Sequence, residues 1–130
     1  MKKLLVSLLL LITLGGCAAK PHEANGYRRI TMQEAAEWMA RESDYIILDV
    51  RTQEEFDAGH IPNAICIPNE TIGSDEIPAL PDKEQLILVY CRSGNRSKQA
   101  ASKLVKIGYT NIVEFGGILD WQGEIVTEVP

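Results

Sequence analysis

The segment Cys91-Arg92-Ser93-Gly94-Asn95-Arg96-Ser97 carries the residue types best suited to covalent chemistry in this chain. It follows residues 85–90 (QLILVY), a continuous apolar run of the kind that makes a strand buried on both faces. It precedes residues 97–107, where Ala100, Ala101, Leu104 and Ile107 recur at helical spacing. Between strand and helix the chain must curl tightly, and Gly94 and Asn95 are the types that tolerate positive φ. Such a loop turns its backbone N–H groups inward, making an anion-binding nest at a helix N-terminus. A thiol held over that nest ionises more easily, because N–H donors, helix dipole and nearby guanidinium all favour the thiolate. Arg92 and Arg96 are placed to hold an anionic substrate by forked hydrogen bonds. Ser93, Asn95 and Ser97 are expected to line or cap the loop. The plain structural alternative is a buried cysteine beside surface arginines. The order strand, Cys, Gly/Asn, Arg, helix is what an activated thiolate requires, and it favours the chemical reading.

The elements that must position this loop are legible along the chain. Residues 28–30 can open as a short strand. Thr31 and Glu34 form a capping box for an amphipathic helix over 32–42, with Trp38 and Met39 as core. Residues 45–48 make a second buried strand, ending at Asp49-Val50-Arg51. A second capping box, Thr52 and Glu55, starts a short helix that Gly59 can end in a left-handed conformation. Residues 64–67 read as a strand stopped by Pro68, residues 69–81 as loop with one helical turn, and 111–115 as a last strand closed by Gly116-Gly117. Gly108 is placed as a helix C-cap, and 118–122 as one more turn. Strands alternating with helices predict an α/β fold with a mainly parallel sheet and helices on both faces. Sites in such sheets lie at the carboxyl ends of strands, which puts Cys91 and Asp49-Val50-Arg51 on one rim.

Length and charge narrow the function. With 130 residues there is room for one domain and a tail, not for a multidomain enzyme. A net charge of −5 argues against nucleic-acid binding, which needs a basic face. Three cysteines are too few for a disulfide scaffold, and no Cys, His and carboxylate spacing suggests a metal site or a cofactor. Lys2 and Lys3 precede an apolar run from Leu4 to Leu14, too short for a membrane span but of signal-peptide length. Leu14-Gly15-Gly16-Cys17 resembles the lipobox of bacterial lipoproteins. That resemblance implies a lipidated Cys17, a membrane anchor and an extracytoplasmic location. Residues 1–16 are thus read as signal peptide, 17–26 as a lipidated tether holding a solvated His22, and 27–130 as the domain. Loss of Lys2 and Lys3 deepens the charge to −7.

Taken in order, Asp49-Val50-Arg51, Glu55-Phe56, Gly59-His60-Ile61-Pro62-Asn63-Ala64, Ile67-Pro68, the segment from Cys91 to Ser97, Ala100, Leu104, Gly108 and Gly116-Gly117 with Trp121 resemble the single-domain members of the rhodanese-like superfamily. The resemblance implies a five-stranded, mostly parallel sheet flanked by helices. It makes Cys91 a nucleophile whose persulfide is stabilised by the loop from Arg92 to Ser97. The implied activity is sulfur transfer from thiosulfate or another small anionic donor to a thiol or cyanide acceptor, with a protein acceptor also open. Where the family often has Gly, this chain has Asn63, which also tolerates left-handed geometry. Cys66 reads as a small buried hydrophobe, with a resolving thiol for Cys91 as the sharper alternative. Asp49 and Arg51 read as supporting residues of the scaffold. His60 invites a Cys–His hydrolase reading, but in the family it belongs to a structural turn. Two other functions stay open: a persulfide carrier or docking module without turnover, and a phosphatase or arsenate reductase of related fold. The latter resemble Cys-x5-Arg, one residue longer than the spacing of Cys91 and Arg96.

Overall fold

The structure, a computed structural model, describes residues 22–24 and 26–128. The signal peptide read over 1–16, and Cys17, lie outside the described residues. Among those described, no helix is long and apolar enough to cross a membrane.

Chain order is β1 (His22–Ala24), β2 (Tyr27–Arg29), α1 (Met32–Arg41), β3 (Tyr45–Asp49), α2 (Gln53–Ala58), β4 (Ile65–Cys66), β5 (Leu86–Cys91), α3 (Asn95–Ile107) and β6 (Ile112–Gly117). Short 3₁₀ turns occupy Asn69–Thr71 and Ile118–Asp120. Five strands form the expected parallel sheet in the order β2-β6-β5-β3-β4. The sixth, β1, adds antiparallel to the β2 edge. Three residues read from sequence as tether are therefore sheet. Their only signal is pairing with β2 across a tight turn at Gly26 (φ 85°), which periodicity does not report.

Local chemistry sets the element ends. The Thr31 hydroxyl accepts from the Glu34 N–H at 3.1 Å and starts α1. Thr52 and Glu55 make the full capping box of α2. Gly59 ends α2, but at φ 156°, ψ 132° rather than left-handed, and a Cβ there would press Ile125 at 2.9 Å. Gly108 does end α3 left-handed, at φ 117°. Asn63 takes φ 67°, the conformation its amide side chain tolerates.

Alternation along the strands sorts side chains onto two faces. Leu48, Val50, Ile87, Val89 and Cys91 pack with Ala100, Ala101 and Leu104 of α3. On the other face Ile47, Leu88, Tyr90, Val113 and Phe115 pack with Met32 and Ala35 of α1 and Phe56 of α2. Both faces are apolar, which is why β3 and β5 read as continuous hydrophobic runs.

Candidate active site

Cys91 is the last residue of β5 and α3 begins at Asn95, two residues earlier than its periodicity suggests. The turn between them is only Arg92-Ser93-Gly94. Gly94, at φ 104°, supplies the left-handed step, and Asn95 is helical. The Gly94 N–H donates to the Cys91 sulfur at 3.0 Å. Sγ thus sits at the N-terminus of a 13-residue helix, where the macrodipole favours negative charge. Loop and sheet are in close contact. A Cβ on Gly117 would overlap the Arg92 carbonyl, and the Leu119 N–H donates to that carbonyl at 3.2 Å.

The two arginines of the loop have different fates. Arg92 is exposed and makes no ion pair among the described residues. Arg96 forks onto Glu55 of α2 at 2.7 and 3.0 Å. That hydrogen bond draws the Glu55 carboxyl down to about 2. Arg96 therefore ties α2 to α3 rather than offering a free anion fork. Ser93 and Asn95 are exposed on the loop, whereas Ser97 is buried beneath it.

Asp49 and Arg51, expected to support the rim, pair with each other at 2.7 Å on the face opposite Cys91. Asp49 also accepts from the Tyr90 hydroxyl at 2.6 Å and from the Arg51 N–H at 2.9 Å. Burial and the Asp49 charge push the Tyr90 hydroxyl up. Arg51 donates onward to the Gly59 carbonyl, and Tyr90 accepts from the Ile61 N–H. This network fixes the Gly59-His60-Ile61 segment. His60 stacks on Phe56 at 3.7 Å, donates through Nδ1 to the Phe56 carbonyl, and bridges Val126 through its backbone. Its partners are structural, so no Cys–His pair forms.

Cys66 is half-buried, and its thiol donates weakly to the Arg51 carbonyl at 3.6 Å. Burial, with Asp49 nearby, raises its pKa to about 11. It packs on the α1/α2 face, whereas Cys91 packs on the α3 face. Register places Cys66 beside Asp49 on β4 and β3, with Tyr90 across on β5. Two strand spacings, about 10 Å, separate the cysteine backbones. A disulfide needs less than about 7 Å, so the resolving-thiol alternative for Cys66 is corrected.

One residue at this site was missed. Glu114 of β6 is 1% exposed. Its Oε1 accepts from the Ser97 hydroxyl at 2.7 Å and from the Gly116 N–H at 2.9 Å, and its Oε2 accepts from Arg29 at 3.1 Å. The available signal was a lone charge inside the apolar stretch Ile112-Val113-Glu114-Phe115. Among the described residues, no group of three or more His, Cys, Asp or Glu side chains gathers as a metal site.

Fold and thiol loop together define a class, that of α/β domains with a cysteine at the strand-to-helix turn. Residues 31–124 match the Rhodanese-like domain family, and the chain belongs to it. It is similar to the thiosulfate sulfurtransferase PspE of Escherichia coli, 37% identical over 56% of this chain and 70% of that protein. It is also similar to the adenylyltransferase and sulfurtransferase UBA4 of Meyerozyma guilliermondii, 36% identical over 69% of this chain. The chain spans about a quarter of the length of such longer relatives. Among solved structures, a rhodanese-related protein from Thermoplasma volcanium superposes with a TM-score of 0.65 at 30% identity, covering 78% of this chain and all of that one. Sulfurtransferases thus stand among its relatives.

Proposed function

We propose that this protein moves a sulfane sulfur from thiosulfate, or a related small anionic donor, to a thiol or cyanide acceptor through a persulfide on Cys91. The observation that carries the reading is the Cys91 sulfur at the N-terminus of α3, receiving the Gly94 N–H at 3.0 Å. The thiolate attacks the outer sulfur of thiosulfate. An S–S bond forms, the bond to the sulfonyl sulfur breaks, and sulfite leaves with its electron pair. Arg92, exposed and unpaired among the described residues, is the group placed to steer the anion in and out. Loop N–H groups stabilise the terminal sulfur of the persulfide. Cyanide or a thiolate then attacks that sulfur and returns the Cys91 thiolate, a ping-pong cycle. Four residues separate Cys91 from Arg96, so the ring suits one sulfur atom better than a tetrahedral phosphate.

The test is thiocyanate formation from thiosulfate and cyanide by the purified protein beside Cys91→Ser. Production by the wild type alone supports turnover, and none above the variant's background overturns it. One added sulfur in the intact mass without turnover supports a carrier, the second reading. Loss in Cys91→Ser of activity toward p-nitrophenyl phosphate would favour a phosphatase.

The sequence of residues 1–17 supports a further part of the reading: Cys17 carries lipid and holds the domain to a bacterial membrane on its extracytoplasmic side. There a protein sulfur acceptor is one partner to look for. Labelled palmitate incorporated by the wild type and not by Cys17→Ser in a bacterial host is the expected result. Equal labelling overturns it.

A further inference from the structure

A chain of hydrogen bonds runs from the thiol into the interior. The Cys91 thiol donates to the Ser97 hydroxyl oxygen at 3.4 Å, and the Ser97 hydroxyl lies 2.7 Å from Oε1 of Glu114. All three residues are 1% exposed or less. Ser97 has one hydroxyl proton. The carboxylate is its shortest partner and the charged one, ahead of the Gly94 carbonyl at 3.0 Å and the Gly116 carbonyl at 3.4 Å. With that proton on Glu114's side, Ser97 presents a lone pair to sulfur. This arrangement holds a thiol and opposes a thiolate. Ionisation of Cys91 therefore requires Ser97 to turn its proton toward sulfur, and Glu114 is the group that must release it.

We propose that Glu114 is the proton acceptor for Cys91, acting through Ser97. The Sγ–H bond breaks and a new O–H bond forms on Ser97. The original Ser97 proton passes to Oε1 of Glu114, and the electron pair of the S–H bond stays on Sγ. Nothing is oxidised or reduced. One negative charge moves from carboxylate to sulfur inside the site, so no new buried charge is created. The sulfur end is prepared to receive it by the Gly94 N–H and the start of α3. After transfer, the Ser97 hydroxyl donates to the thiolate instead of accepting from the thiol.

The charged groups around this relay are named by the fold. Arg29 of β2 holds the other oxygen of Glu114, and Asp120 lines the same cavity as Glu114 and Arg29. Arg92 lies in the loop, and Arg96 of α3 faces the site with its charge shared by Glu55 of α2. Arg29 is half-exposed, so water reaches its guanidinium when Glu114 becomes neutral. Glu114 touches no substrate and is a positioning residue.

This inference rests on Cys91 being the sulfur nucleophile, but its test does not use a sulfur donor. Alkylation by iodoacetamide is followed at Cys91 by peptide mapping of the full-length protein from pH 6 to pH 10. The wild-type rate should be nearly flat through neutrality. Glu114→Gln and Ser97→Ala should each be slower at pH 7 by about 10²-fold and should rejoin the wild type near pH 10, where hydroxide removes the proton. Ser97→Thr, which keeps the hydroxyl, should restore the neutral rate. A Glu114→Gln rate equal to or above wild type at pH 7 overturns the proposal, since it would show that the carboxylate merely repels the thiolate. So does a deficit that persists at pH 10, which marks a damaged loop. Absence of thiocyanate from the wild type would sink sulfur transfer and leave this result standing.

Discussion

Among the described residues two carboxylates are buried, Asp49 and Glu114, one on each face of the sheet. Asp49 ends β3 and Glu114 lies mid-strand in β6, and both are fully hydrogen-bonded. Asp49 is enclosed by Arg51, Tyr90 and its own turn, and every bond leads back into the scaffold around Gly59 and Ile61. Glu114 is held by Arg29 on one side, and on the other its bonds lead to Ser97 and the Cys91 sulfur. A buried charge with all partners internal specifies structure. The same charge two hydrogen bonds from a thiol, through Ser97, is placed for the proton exchange proposed above.

Asp49→Ala should break the first network hardest. It leaves the Arg51 guanidinium buried without its carboxylate and should cost about 3–5 kcal/mol, read as a lower urea midpoint. Activity per folded molecule should be retained. A matching loss of sulfur transfer would dissolve the contrast between the two faces. Gly117→Ala probes the other face. Its Cβ overlaps the Arg92 carbonyl, so the thiol loop must shift, and sulfur transfer should fall by about 10²-fold while the fold persists.

Smaller effects test the ties between faces. Glu55→Gln should cost about 0.5–1 kcal/mol at pH 7, because its pair with Arg96 is partly exposed. The folded carboxyl titrates near 2 instead of 4.5, so its contribution is full above about pH 4.5. It fades as pH falls toward 2, and wild-type and variant denaturation midpoints should converge there. Cys66→Ala should leave sulfur transfer unchanged, and intact mass after mild oxidation should show no Cys66–Cys91 disulfide. Detection of that bond would mean the sheet opens far more than its register allows.

The thiol loop was legible because its signals are local. A strand, a cysteine, a glycine and a helix lie within a few turns of chain, and each N-cap threonine meets a glutamate three positions on, closing a full capping box at α2 alone. Even so, the left-handed step fell to Gly94 alone and α3 began two residues early, since helix starts depend on which residue the sheet leaves free to turn. By sequence Arg96 reads as a substrate ligand, because its neighbours along the chain are the loop. Its partner Glu55 lies 41 residues away, across a helix contact that spacing does not encode.

The sequence by itself determined the chemistry-bearing segment, the order of strands and helices, and the family. Those depend on residue type, periodicity and turn geometry within short windows. Tertiary structure alone decided which side of the sheet each residue occupies. It set Cys66 apart from Cys91, closed Asp49 on Arg51, and laid Glu114 behind Ser97. The reason is register. A side chain changes face with each residue along a strand, so its neighbours are fixed only when strands from distant parts of the chain pair.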